Sequence, residues 1–203
     1  MKAIYLALIL FAVAIVSAPL ADAQQVQVGD VKIKNLNVEI QQTPEFRPGN
    51  VKDKKVPRPR DWLEVEVEFE VDTNPRDGFA PSLMFRYYIA IQGADGAPRT
   101  LRGDVTHVNV PGGTSLFSVV YVSPATLAKV TGKYTGFTES SIVGIGVAIY
   151  HDGIAKTGEA VKLANGWWTN ANVQTEPGVL KKKDTPFALL WLDRYADEQE
   201  GGN

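Results

Sequence analysis

WLEVEVEFEV, residues 62–71, alternates without a break. Leu63, Val65, Val67, Phe69 and Val71 fall on one face, and Glu64, Glu66, Glu68 and Glu70 on the other. Period two is the mark of a strand with one side in a core, since a helix would scatter both sets around its circumference. Burying such side chains contributes roughly 1.5–3 kcal/mol each, an upper figure because an unfolded chain already hides part of that surface. The stretch predicts an antiparallel sheet, wet on one face and packed on a second layer with the other.

Working outward, residues 26–42 read as a long first strand with a slip in phase. Val31 and Ile33 face one way against Lys32 and Lys34, and after Asn35 the apolar set becomes Leu36, Val38 and Ile40. A one-residue slip is what a β-bulge produces, and bulges let a first strand switch sheets. Residues 43–60, TPEFRPGNVKDKKVPRPR, cannot continue a sheet, because four prolines remove ladder donors. On the other side, DTNPRDG is a turn without the ligand spacing of a calcium loop. Leu83–Gln92 alternates again, and 101–110 and 115–122 read as two strands around Pro111-Gly112-Gly113. Ser123-Pro124 starts a short helix that Gly132 ends. Residues 142–150 and 154–163 form two further strands around a His-Asp-Gly turn, and 187–192, FALLWL, reads as a late strand. Seven to nine strands with one helical turn predict an all-β, immunoglobulin-like antiparallel β-sandwich.

The 203 residues, 44% of them hydrophobic, suit one domain with a sizeable core. A net charge of −2 supplies no field to recruit nucleic acid or anionic lipid. Without cysteine there are no disulfides, thiolate metal sites or thiol nucleophiles. Lys2, the apolar run 3–16, Pro19 and Ala21-Asp22-Ala23 predict an export signal over 1–23, cleaved before Gln24. No cysteine follows the run to carry a lipid. The expected mature domain, 24–203 with its insertion at 43–60, is secreted, periplasmic or on the outer cell surface, with no membrane segment after cleavage.

Candidate sites are few. Neighbouring glutamates on one face of a strand stand roughly 6.5–7 Å apart and repel by only about 0.6 kcal/mol in water, so the row reads as a solvent face, with Lys32 and Lys34 supplying opposite charge. Arg102-Gly103-Asp104 matches an adhesion tripeptide, but its flanks read as strand rather than loop tip. Trp167 and Trp168 are adjacent, so one of them faces outward in any strand; the pair either caps the sandwich or stacks on a glycan. Only His107 and His151 could serve as imidazole bases, and no nucleophile elbow, zinc-protease pair or P-loop occurs, so neither an enzyme nor a cofactor is indicated. The insertion carries Arg47, Lys52, Lys54, Lys55, Arg58 and Arg60 on a proline-stiffened segment, suited to an acidic partner or a second copy of the chain.

The export signal, QVQVGDVKIKNLNVEI, DWLEVEVEFEV and NGWWTN together resemble a family of secreted pilus-like proteins of Akkermansia and related Verrucomicrobia. The resemblance implies an immunoglobulin-like fold akin to archaeal type IV pilins, genes beside type IV pilus-like components, pilus-like or envelope partners, and no enzymatic activity. The chain departs from true pilins in lacking a processing site followed by a glutamate at the start of its apolar run. That departure fits a pilus-associated protein better than a major fibre subunit.

Overall fold

The five apolar residues from Leu63 to Val71 are fully buried in the computed structural model, which describes residues 26–46, 49 and 58–200. The expected export signal lies outside the described residues. Nine strands form two sheets. Sheet A holds β1 (Gln27–Gln42), β2 (Asp61–Asn74), β5 (Leu116–Val122) and β9 (Val179–Lys181) in the order β1-β2-β5-β9. Sheet B holds β3 (Phe79–Gln92), β4 (Pro98–Pro111), β6 (Ile142–His151), β7 (Ile154–Val161) and β8 (Thr175–Pro177) in the order β7-β6-β3-β4-β8. The ladders are antiparallel except β4 with β8. The short β8 runs parallel to β4 because it arrives from a loop rather than a hairpin.

The two layers meet through the alternating faces that the sequence predicts. Leu63, Val65, Val67 and Phe69 of β2 oppose Leu83, Phe85, Tyr87 and Ile89 of β3 in one continuous core, with Phe69 and Phe85 packed edge to face at 4.7 Å. The slip in β1 is a register shift between Ile33 and Asn35, and a second lies between Val28 and Val31. The strand nevertheless pairs with β2 along its length instead of switching sheets. The predicted helix is α1 (Pro124–Thr131), with Ser123 Oγ accepting from Thr126 N and Gly132 closing it in the left-handed region at φ 70°.

The outer face of sheet A also departs from expectation in two ways. The outer face of β2 is not simply wet. Trp62 and Glu64 are buried there, because residues 182–195 lie over sheet A and pack Phe187, Leu190 and Tyr195 onto Trp62, Val119 and Tyr121. FALLWL is not a strand: two of its donors are spent on local turns, Ala188 N–H to Thr185 O and Leu190 N–H to Phe187 O. The segment roofs a sheet whose central strands are already paired on both sides, so its apolar residues serve as anchors rather than rungs. Phe187 stacks on Tyr121 at 4.5 Å and meets Trp62 edge-on at 5.6 Å.

After this roof the chain enters the seam between β4 and β5, where the two sheets are open to each other. Ala196 N–H donates to Phe117 O on β5, Val108 N–H to Asp197 O, and Gln199 N–H to Thr106 O on β4. Residues 196–199 therefore tie both sheets together.

Candidate functional site

The basic insertion leaves and re-enters sheet A at one end of the β1–β2 pair, where Gln42 opposes Asp61. Its base is closed by Thr43 N–H donating to Arg60 O at 3.1 Å, and Trp62 Nε1 donates to Thr43 Oγ1 at 3.0 Å. Arg58 and Arg60 are exposed, and the Arg60 guanidinium lies over the Tyr134 ring at 5.9 Å. Phe46 is exposed on the same connection. Arg47, Lys52, Lys54 and Lys55 lie outside the described residues.

Trp167 and Trp168 form a single 3₁₀ turn, Trp167–Thr169, laid on the outer face of sheet B rather than capping an end of the sandwich. Trp168 stacks on Tyr88 with centroids 5.4 Å apart and rings 10° from parallel. It also seats on Gly146, where an added Cβ would fall 2.2 Å from Trp168 Cε3. The two glycines of β6 make room for side chains, Trp168 on Gly146 and Leu163 on Gly144. The strongly exposed tryptophan is Trp191, at 51%, with Leu189 and Leu192 exposed beside it in sequence.

The glutamate row divides into separate roles. Glu70 pairs with Lys34 at 2.5 Å, as the cross-strand charge pattern predicts, and Lys32 pairs with Asp72 at 3.1 Å. Glu68 accepts from Ser115 Oγ at 2.6 Å. Glu66 is gripped by the roof: Arg194 donates through Nε at 3.0 Å and Nη2 at 2.6 Å, and Tyr195 Oη donates at 2.8 Å. The same guanidinium lies 3.7 Å over the Phe117 ring. Glu64, directly opposite Tyr121, is 6% exposed, and burial, followed in smaller part by Glu66 and Glu39, pushes its carboxyl up from the usual range.

Glu64 and Glu66 open onto a groove of about 320 Å³, completed by Asn37, Glu39 and Gln41 from β1 and by Trp191, Arg194 and Tyr195 from the roof. Asn37 Nδ2 and Gln41 Nε2 donate to the two oxygens of Glu39 at 2.8 and 3.1 Å. Sequence reading missed this groove. The signal available was Asn37-x-Glu39-x-Gln41, a polar alternation on the strand opposite the glutamate row; Trp191 gives no sign of its position until the roof is folded.

The remaining motifs are structural. Asp104 of the Arg-Gly-Asp tripeptide sits in mid-strand and accepts from Arg86 Nε and Nη2 at 2.9 and 2.8 Å, while Gly103 abuts Val179. His151 bonds Ser82 O through Nδ1 at 2.9 Å and lies 3.3 Å from Asp152, a pair in a surface turn. His107 is buried in the core beside Ser118. Among the described residues, no helix is long and apolar enough to cross a membrane.

A protein-family model matches residues 22–201. The crystal structure of a protein from Akkermansia muciniphila superposes with a TM-score of 0.74 at 26% identity, over 88% of this chain and 96% of the other. No curated protein matches the sequence.

Proposed function

The chain belongs to the Akkermansia pilus-like family, and from that premise we propose that it is a non-enzymatic, secreted interaction protein associated with a pilus or the cell surface. The observation that carries the reading is the match of the family over the whole sandwich, residues 22–201. The architecture supports it. Both outer faces are roofed by the chain's own C-terminal third, so the sandwich is a stiff block, and the two ends of the basic insertion meet at one end of the β1–β2 pair. A rigid body with a charged, proline-rich insertion suits docking to pilus-like or envelope proteins more than turnover of a substrate.

The test is fractionation of the producing cells. Surface appendages are sheared off and each fraction is probed with antibody to the folded domain. The expected result is protein in the sheared or outer-envelope fraction, with an N-terminus at Gln24 by mass spectrometry. Confinement to the cytoplasm would sink the proposal. An intact leader on envelope protein would replace it with an anchored, pilin-like arrangement.

A further inference from the structure

The groove on the outer face of sheet A has a chemistry that the basic insertion does not explain. Its lining places the carboxylates of Glu39, Glu64 and Glu66 beside one guanidinium, that of Arg194. Arg194 is committed to Glu66. Glu64 is more than nine-tenths buried, and its Oε2 makes no hydrogen bond of good geometry; Tyr121 Oη across the strand pair, unsatisfied by the same measure, lies near enough to offset only part of the burial that holds the Glu64 carboxyl above its usual range. An unpartnered buried carboxylate oxygen is costly, because the group has lost its water without gaining a donor. A ligand that brings a donor, and preferably a positive charge, removes that cost.

The molecule shows which cation the groove suits. In one half, the Arg194 guanidinium is held edge-on by a carboxylate, Glu66, and lies flat over an aromatic ring, Phe117. The other half offers the same two components, the carboxylates of Glu39 and Glu64 and the exposed indole of Trp191, and among the described residues Arg194 is the one cation lining the groove. A planar guanidinium can donate to carboxylates along its edge while its face rests on an indole, which a compact ammonium does less well. We propose that this groove takes an arginine side chain presented by a partner protein, with Glu39 and Glu64 as acceptors and Trp191 as the stacking surface. The site goes beyond the surface-protein reading, which names no recognised residue. It does not depend on that reading.

The test uses the whole mature domain and three probes: acetyl-Gly-Arg-Gly-amide, the same peptide with neutral citrulline for arginine, and methyl N-acetylglucosaminide. Binding is followed by calorimetry and by the indole N–H resonance of Trp191, assigned with Trp191→Phe. The arginine peptide is expected to bind and to shift that resonance. The citrulline peptide should bind about tenfold or more weakly, as expected when a hydrogen bond to a charged group is lost. Glu64→Gln, nearly the same shape, should weaken the arginine peptide by a similar factor while keeping the wild-type circular dichroism and a melting midpoint at or above that of wild type; Glu39→Gln should weaken binding in the same direction. Absence of binding, equal binding of the citrulline peptide, or a preference for the glycoside would each overturn the proposal.

Discussion

His107 Nε2 lies 2.7 Å from Ser118 Oγ, and both residues are essentially without solvent access. Tyr87 Oη donates to the same Ser118 oxygen at 2.7 Å, so the serine proton is directed at the imidazole. His107 Nδ1 then carries the ring proton and donates to Ala196 O at 3.0 Å. The chain of bonds fixes one neutral tautomer and joins β3, β4 and β5 to the C-terminal stretch. A serine beside a histidine resembles the start of a catalytic relay, but here the serine accepts from a tyrosine and the imidazole is packed against Phe69 and Phe85. It is a staple in the core.

Burial pushes the His107 imidazole down to about 4 from 6.5, against smaller opposing effects from the Ala196 and Asp197 backbone and the Asp197 charge. The unfolded chain therefore takes up a proton first as pH falls. Stability is complete above pH 6.5, declines between 6.5 and about 4, and stops declining on this account below that. The difference corresponds to on the order of 3 kcal/mol, from about 1.4 kcal/mol per pH unit. Urea midpoints measured between pH 4 and 7 should show this slope on top of the carboxylate background. His107→Phe should remove it while lowering stability near pH 7, because Ser118 and Ala196 O lose a partner, and the gap to wild type should close toward pH 4. A variant whose pH slope equals that of wild type would contradict this account.

Gly146→Ala should cost about 1–3 kcal/mol, the usual range for forcing extra volume into a packed site. The added methyl would meet the Trp168 ring, and the ring is held between β6 and Tyr88, so it cannot swing away without losing its stack. Chemical denaturation gives the loss, and near-ultraviolet circular dichroism should report the displaced tryptophan. An unchanged near-ultraviolet spectrum would mean that the ring is not seated as described.

What could be read from the sequence was whatever a strand dictates by itself. The β2 and β3 alternations, the β1 slip and the Ser123–Gly132 helix bounds depend on local periodicity and capping, and each lies where its residues place it. The roof was not readable. FALLWL carries apolar content without a period, and whether it pairs as a strand or lies across one depends on Trp62 and Tyr121 pointing away from the main core, more than 60 residues upstream. The glutamate row misled for the same reason. Four identical residues share one face, yet Glu64 and Glu66 lie under the roof while Glu68 and Glu70 lie beyond it.

Arg194→Ala should loosen the roof without unfolding the sandwich. The Arg194–Glu66 pair is partly solvent-exposed, so its loss is expected to cost only about 1 kcal/mol globally. Locally it removes the clamp that lies beside the seam bonds. Hydrogen exchange should quicken at the amides of Ala196, Val108 and Gln199, which are bonded across the seam, and stay unchanged in β3 and β6. Uniform acceleration through both sheets would show instead that the roof and the sandwich open as one unit.

The basic insertion gives the last prediction. Arg47, Lys52, Lys54, Lys55, Arg58 and Arg60 are spread along a segment whose prolines reduce the entropy lost on ordering, so it can dock at less cost than a glycine-rich loop. An acidic surface is its complement. On this molecule the choice is narrowed, because Glu66 already holds Arg194 and Glu70 holds Lys34. If copies of the chain associate through the insertion, the contact should be steered by charge and weaken as salt screens it. Sedimentation of the mature domain at low and high salt should then show association that falls with ionic strength, and a Lys52/Lys54/Lys55→Ala variant should remain monomeric under conditions where wild type does not. A monomer at every salt concentration would remove self-association and leave the insertion for a different envelope partner. Association that ignores both salt and the substitutions would point to an apolar contact, and the exposed Leu189, Trp191 and Leu192 on the roof are where it would form.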